Sequence, residues 1–311
     1  MLKNGFFTIL VSMSMLCAPV VYAGSGDHHG HGSAVADTSV KAVTHKITDQ
    51  IYMINVKGGN VGLFIGEDGS FLIDNEYVDV VPAVMEAVEE ISKDNKVRFV
   101  INTHWHGDHT GGNEALGKGG SLIVAHDNVR KRLSVDNYIP AFNMESKAFP
   151  KVALPLITYN DQTTFHINGD TVHVVHVKNA HTDGDSFAHF EKANVIHTGD
   201  VYFNGFYPFI DASTGGSLEG VIKASAEILA LANDDTVIIP GHGSVSNKAE
   251  LKLYHDMLVG VRDVLKPLID AGKSFEEIKA AKPLGQFDAQ WGGGFLSSDV
   301  WLKIAYDAMT S

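Results

Sequence analysis

The sequence predicts an α+β chain: two sheets face to face, with helices outside. Three observations point there. Short runs rich in β-branched and aromatic residues recur in both halves of the chain. Each half also holds a stretch with apolar residues at helical spacing. No Pro-, Gly- or Ser-rich linker interrupts residues 45–311, so the two halves belong to one domain. With 311 residues, 44% hydrophobic and 20% charged, the chain can bury a sizeable core. The formal net charge of -13 disfavours nucleic acid as a partner.

Taken in order, residues 1–23 read as a cleavable export signal. Lys3 gives a positive start, residues 5–17 form an apolar run too short and too early for a membrane span, and Val21-Tyr22-Ala23 offers a cleavage site. Cys17, the only cysteine, lies inside it, so the mature chain holds no disulfide and no thiolate ligand or nucleophile. No membrane span is expected in the mature chain. Residues 24–44 read as a flexible leader; its His28, His29 and His31 have no buried scaffold and read first as incidental imidazoles.

Residues 51–56 and 61–65 read as strands broken by Gly58-Gly59, with a hairpin turn at 66–69 and a return strand at 70–73. Residues 80–91 have helical spacing, with Val81, Val84, Ala87, Val88 and Ile91 on one face. Residues 97–101 form an apolar strand that runs straight into Thr103-His104-Trp105-His106-Gly107-Asp108-His109. In the second half, 171–177, 187–190, 194–197 and 236–239 read as strands. Residues 218–231 are helical with Val221, Ala224, Ile228 and Leu231 on one stripe, and the chain after 247 is largely helical with a break at Gly292-Gly293-Gly294.

The placement of His and Asp carries the chemistry. The 104–109 cluster, Asp200 and His242 each follow the end of a short apolar strand, and His181 follows another across a short turn. Loops leaving rigid strand ends can converge on one point. His104 and His106, two apart in extended chain, point the same way and can reach one ion; Asp108 and His109, after the Gly107 bend, can serve a second. A group of imidazoles and carboxylates beside a core is costly without a cation. His173, His176 and His189 compete with His181 but lie within strands; His126 and His255 lack supporting context; His197 reads as an outer neighbour of the ligands. Asp183 or Asp185 is a candidate to orient a ligating imidazole. Trp105, between two ligands, points either to the site or to the core. Phe203, Phe206, Tyr207 and Phe209 form either a pocket wall or ordinary packing.

The His-Xaa-His-Xaa-Asp-His run over residues 104–109, followed by Gly111-Gly112, is similar to the signature of the metallo-β-lactamase superfamily. His181 in Ala180-His181-Thr182-Asp183-Gly184, Asp200 in His197-Thr198-Gly199-Asp200 and His242 in Pro240-Gly241-His242-Gly243 resemble its later motifs, in order, across roughly residues 45–245. The resemblance implies a four-layer αβ/βα sandwich, the metallo-β-lactamase fold. It implies two Zn2+ ions, with iron or manganese as alternatives: His104, His106 and His181 on the first, Asp108, His109 and His242 on the second, Asp200 bridging, and a hydroxide between them. It implies a hydrolase that attacks the carbonyl of a small lactam, lactone or ester, Asp108 also taking the proton of the attacking water.

Asp200 stands where many secreted β-lactamases of that family carry Cys. This resembles the glyoxalase II and lactonase-like branch and leaves room for only weak β-lactamase activity. An exported enzyme would not meet a glutathione thioester. His106, where diiron flavoprotein relatives carry Glu, disfavours that redox class. The remaining alternatives are a mononuclear iron persulfide dioxygenase-like enzyme and a non-catalytic periplasmic zinc-binding protein.

Overall fold

The computed structural model describes residues 37, 39–93 and 96–311. The expected signal and His28, His29 and His31 lie outside the described residues. The first strand, β1 (Val43–Lys46), pairs antiparallel with β2 (Ile51–Asn55), so residues 43 and 44 of the expected leader take part in the sheet. Next come β3 (Val61–Phe64) and β4 (Ser70–Ile73), joined by the expected hairpin, then α1 (Val81–Ser92) and β5 (Val97–Asn102).

Residues 113–167, where the sequence gives no element a range, hold seven. They are α3 (Asn113–Lys118), which follows the short α2 (Gly107–Thr110), β6 (Leu122–His126), α4 (Asp127–Leu133), a hairpin of β7 (Asn137–Ile139) and β8 (Met144–Ser146), β9 (Ile157–Tyr159) and β10 (Gln162–Ile167), besides short 3-10 turns. The β-strands there run three to six residues, too short for periodicity to separate them from loop. The remainder follows the expectation closely: β11 (Asp170–His176), β12 (Ser186–Phe190), β13 (Val195–His197), α5 (Leu218–Leu231), β14 (Val237–Ile239), β15 (Ser246–Asn247), then α6 (Lys248–Asp270), α7 (Phe275–Ala280), α8 (Gly285–Trp291) and α9 (Ser298–Thr310). The triple glycine falls between α8 and α9, where a break was expected.

One sheet has the order β1-β2-β3-β4-β5-β6-β9, the other β10-β11-β12-β13-β14-β15. Their facing sides meet in a shared core: Phe64, Phe71, Ile73 and Ile101 against Val172, Val174, Phe190, Val195 and Ile239. The outer side of the first sheet (Leu63, Leu72, Val100) packs on Val84 and Val88 of α1 and Leu116 of α3. The outer side of the second (Ile196, Ile238) packs with Val221 and Ile228 of α5, Leu258 of α6 and Trp301 of α9. Adjacent residues such as Phe71 and Leu72 therefore enter different cores, which is why these strands read as unbroken apolar runs. The arrangement is the expected four-layer sandwich, helix–sheet–sheet–helix. Leu231, placed on the buried stripe of α5 from its spacing, is exposed at the last turn of that helix.

Strand direction is what gathers the site. β4, β5, β6 and β9 run parallel, as do β13 and β14. β11 is antiparallel to β12, which is antiparallel to β13, so β11 shares the direction of β13. The carboxyl ends of β4 and β5, and those of β11, β13 and β14, thus form one edge of each sheet. The edges are tied together: Asn60 N–H donates to Gly241 O at 2.7 Å, and Ser186 N–H to Thr103 O at 2.9 Å.

Candidate metal centre

The seven side chains singled out by their spacing come together at that edge. Two groups emerge, His104, His106, His181 and Asp200, and Asp108, His109 and His242; within each, one candidate ligand atom per residue lies within 4.8 Å of the others. His104 Nε2 is 3.1 Å from His106 Nδ1, and His181 Nε2 is 2.8 Å from the same nitrogen. Asp200 Oδ2 lies 3.7 Å from His104 Nε2 and 3.4 Å from His181 Nε2. In the second group, Asp108 Oδ2 is 3.5 Å from His109 Nε2 and 3.3 Å from His242 Nε2. Asp200 also faces this group, with Oδ1 at 3.1 Å from His109 Nε2 and Oδ2 at 3.4 Å from His242 Nε2.

The outward ring nitrogens are held by acceptors, which sets each tautomer. His109 Nδ1–H donates to Asp74 Oδ2 at 2.8 Å, His106 Nε2–H to Asp211 Oδ2 at 3.2 Å and His181 Nδ1–H to Phe209 O at 2.7 Å. The Thr103 hydroxyl donates to Asp74 Oδ2, leaving its oxygen to accept from His104 Nδ1–H at 3.0 Å. With the outward nitrogens donating, the inward nitrogens of His104, His106 and His181 present lone pairs to one another, whereas His109 Nε2 faces the carboxylates of Asp108 and Asp200. His242 is fixed differently, by stacking on Phe203 at 4.9 Å and by the backbone bridge between the two residues. Asp74 and Asp211 were not foreseen; Asp74 at least follows the end of a short apolar strand, as the foreseen ligands do. Asp183 and Asp185 do not take the orienting role expected of one of them. Asp183 pairs with Arg132, and the Asp185 carboxylate accepts from Thr182 N–H and hydroxyl.

Other expectations resolve by position. Trp105 is buried in the core, its ring 4.7 Å from that of His106. His197 donates to Asn60 O and accepts from Gly199 N–H, so it shapes the turn that carries Asp200. His173 and His189 lie side by side on the second sheet, away from the cluster, and His176 stacks on His126 at 3.7 Å. Tyr202, Phe203, Tyr207 and Phe209 are buried, Phe206 half-buried. Glycine is required where backbone crowds the ligands: a Cβ on Gly59 would lie 2.2 Å from the His109 ring, and one on Gly241 2.1 Å from Asp200 Oδ1.

Electrostatics divides the two groups. Burial holds His104 well below its ordinary range and lowers His181 to about 4, so both are neutral. Burial acts the same way on His109 and His242, but neighbouring carboxylates outweigh it. Asp200, Asp108 and Asp74 raise His109 well above its usual value, and Asp200 with Asp108 lifts His242 to about 9. The reciprocal attraction overcomes burial at Asp108 and Asp200 and holds both well below the usual carboxylate range.

These residues fit a pair of divalent cations. Nitrogens facing each other through lone pairs at 2.8–3.1 Å repel unless a cation lies among them. Donors about 2.0–2.1 Å from a tetrahedral zinc sit roughly 3.3–3.4 Å apart, close to the separations found. Asp200 Oδ1, though buried, accepts no well-directed hydrogen bond among the described residues.

The model of the metallo-beta-lactamase superfamily matches residues 54–242, which span the whole centre. A curated relative, hydroxyacylglutathione hydrolase of Polaromonas sp. strain JS666, is 29% identical over 163 residues, covering 52% of this chain and 54% of its own. The chain spans about half the length of the curated relatives it matches. A metallo-beta-lactamase from Pontibacter korlensis superimposes with a TM-score of 0.57 at 18% identity, over 70% of this chain and 99% of that one. The sec-alkylsulfatase Pisa1 from Pseudomonas sp. superimposes with a TM-score of 0.61 at 16% identity, over 85% of this chain and 50% of the other. Both share the fold.

Proposed function

Because this chain belongs to the metallo-beta-lactamase superfamily, we propose that it is a dinuclear metal-dependent hydrolase of an ester, lactone or lactam carbonyl. The observation that carries the reading is Asp200: its carboxylate faces both sets of ligand atoms, Oδ1 toward His109 and Oδ2 toward His104, His181 and His242. A complete second set at Asp108, His109 and His242 favours two ions over the single iron of a dioxygenase.

His104, His106 and His181 would hold one ion, Asp108, His109 and His242 the other, with Asp200 between. When bound, two such cations lower the pKa of a shared water and polarise a carbonyl oxygen. The protein's own residues supply the rest. Asp74, Asp211, Thr103 and the Phe209 carbonyl lock four imidazoles into one tautomer each. Asp108, with its side chain 15% exposed against 4% for Asp200, is the carboxylate that opens to solvent and accepts the proton of the attacking water. Zinc suits this set of imidazoles and carboxylates without thiolate. The Polaromonas relative is a hydroxyacylglutathione hydrolase, which supports acyl transfer to water as the chemistry here. We further read the protein as exported, on residues 1–23; amino-terminal sequencing of the periplasmic form would return a start near residue 24 if so.

The test is a turnover screen over esters, lactones and β-lactams, with and without chelator, beside metal counting per chain. Two ions per chain and chelator-sensitive turnover are expected, abolished in His106→Ala and Asp200→Ala with the fold intact by circular dichroism. Full activity in either variant would end the reading.

A further inference from the structure

Two chains of aromatic rings lead from the surface to the centre, one to each set of ligands. Phe142, exposed at the tip of the β7–β8 hairpin, packs on Phe209 at 4.7 Å. Phe209 in turn lies 5.7 Å from the His106 ring and 5.6 Å from that of His181. On the other side, Phe295, 55% exposed, lies 6.3 Å from Phe203 and 6.0 Å from Phe206, and Phe203 stacks on His242. Scattered exposed apolar residues are ordinary on a protein surface. These two differ because each is continuous, ring to ring, with a ligand imidazole. The triple glycine brings the second wall in: a Cβ on Gly294 would lie 2.5 Å from Phe206 Cβ, so only glycine lets the loop carrying Phe295 close against that ring.

Charge points the same way. Among the described residues, every ion pair made by the seven central side chains is between histidine and aspartate. Lys57, in the turn beside Gly58 and Gly59, is engaged by Asp79 at 2.7 Å, and Arg132 by Asp183 at 2.7 Å. Phe142 and Phe295 are the exposed ends of these two chains, so a ligand that approaches the centre there meets apolar rings, while Lys57 and Arg132 are held by carboxylates of their own.

We propose that the Phe142–Phe209 and Phe203–Phe295 walls flank the scissile carbonyl and select an uncharged ester or lactone with an apolar chain of several carbons. This rests on the hydrolase reading above and assigns its substrate class. Both β-lactam antibiotics and glutathione conjugates carry carboxylates, so they fall outside this class. Each methylene moved from water onto such a wall is worth up to about fourfold in binding.

The experiment has two arms on the full metal-loaded chain. In the first, kcat/KM is measured for 4-nitrophenyl acetate and octanoate with wild type, Phe142→Ala and Phe295→Ala. The expected octanoate preference is tenfold or more, and each substitution shrinks that ratio at least threefold. Equal fractional losses on both esters, the signature of a merely structural role, would overturn the proposal. In the second, calorimetric binding of 2-decanone and 2-butanone, which cannot be hydrolysed, reads the walls without turnover. Tighter binding of 2-decanone that weakens in both variants supports the walls even if no ester is turned over, a result that would sink only the hydrolase reading. Equal affinity for the two ketones would remove the walls and leave the hydrolase reading intact.

Discussion

The two ligand sets are nearly equal in composition but opposite in electrostatic character. The first, His104, His106 and His181, is closed off: His104 and His181 are fully buried and held neutral by desolvation. The second is open at Asp108 and His242, and its imidazoles are held protonated by the carboxylates around them. A carboxylate beside an imidazole makes a good cation site and, with no metal bound, a good proton site. The first set needs no deprotonation of these two imidazoles before binding a cation, whereas the second must release protons to do so.

The largest effect expected is from Asp200→Ala, because that carboxylate faces both sets. Hydrolysis should fall by more than the roughly 10–100-fold typical of outer partners, and metal per chain should drop below two at every pH. Unchanged stoichiometry would mean that Asp200 does not bridge. Next in size, Asp74→Asn and Asp211→Asn should each weaken metal affinity about 10–100-fold, but at different ions. Asp74 acts on the second set through His109 and Asp211 on the first through His106. Competition titration with a chelating dye should therefore show loss of a different binding step in each variant, and loss of the same step would erase the distinction drawn above.

A smaller effect separates the sets without mutation. Neighbouring carboxylates lift His242 to about 9 while burial lowers His181 to about 4, so in protein dialysed against limiting zinc the second ion per chain should be lost before the first as the pH is lowered from 9 to 6. Equal counts at both pH values would contradict the division. Smallest, the metal-free protein should be most stable near pH 6.5. His242 is raised above its unfolded value, so its contribution is complete below 6.5 and is lost as pH climbs through 9. His181 is lowered, so the unfolded chain binds the extra proton and stability declines as pH falls from 6.5 towards 4. Thermal melts of metal-free protein across pH 4–10 check both limbs, and saturating zinc should flatten the alkaline one.

Much of this was legible before folding was considered. The His-Xaa-His-Xaa-Asp-His run, Asp200 and His242 each announce themselves by sitting where an apolar strand stops, and the residues at those strand ends do converge. The two-sheet architecture was legible because strands buried on both faces leave continuous apolar runs. Residues 113–167 were not legible, since strands of three residues such as Ile157–Tyr159 carry too few positions for a period.

Local pattern, then, determined which side chains could bind metal and which segments could be strands or helices, because both follow from neighbours a few residues away. Tertiary structure alone decided that Asp74 and Asp211, rather than Asp183 or Asp185, hold the imidazoles. It also decided that Phe142 and Phe295 reach the same centre from positions 153 residues apart. Such contacts depend on strand direction and on which loops share one edge of a sandwich, and these are set by packing across the whole chain.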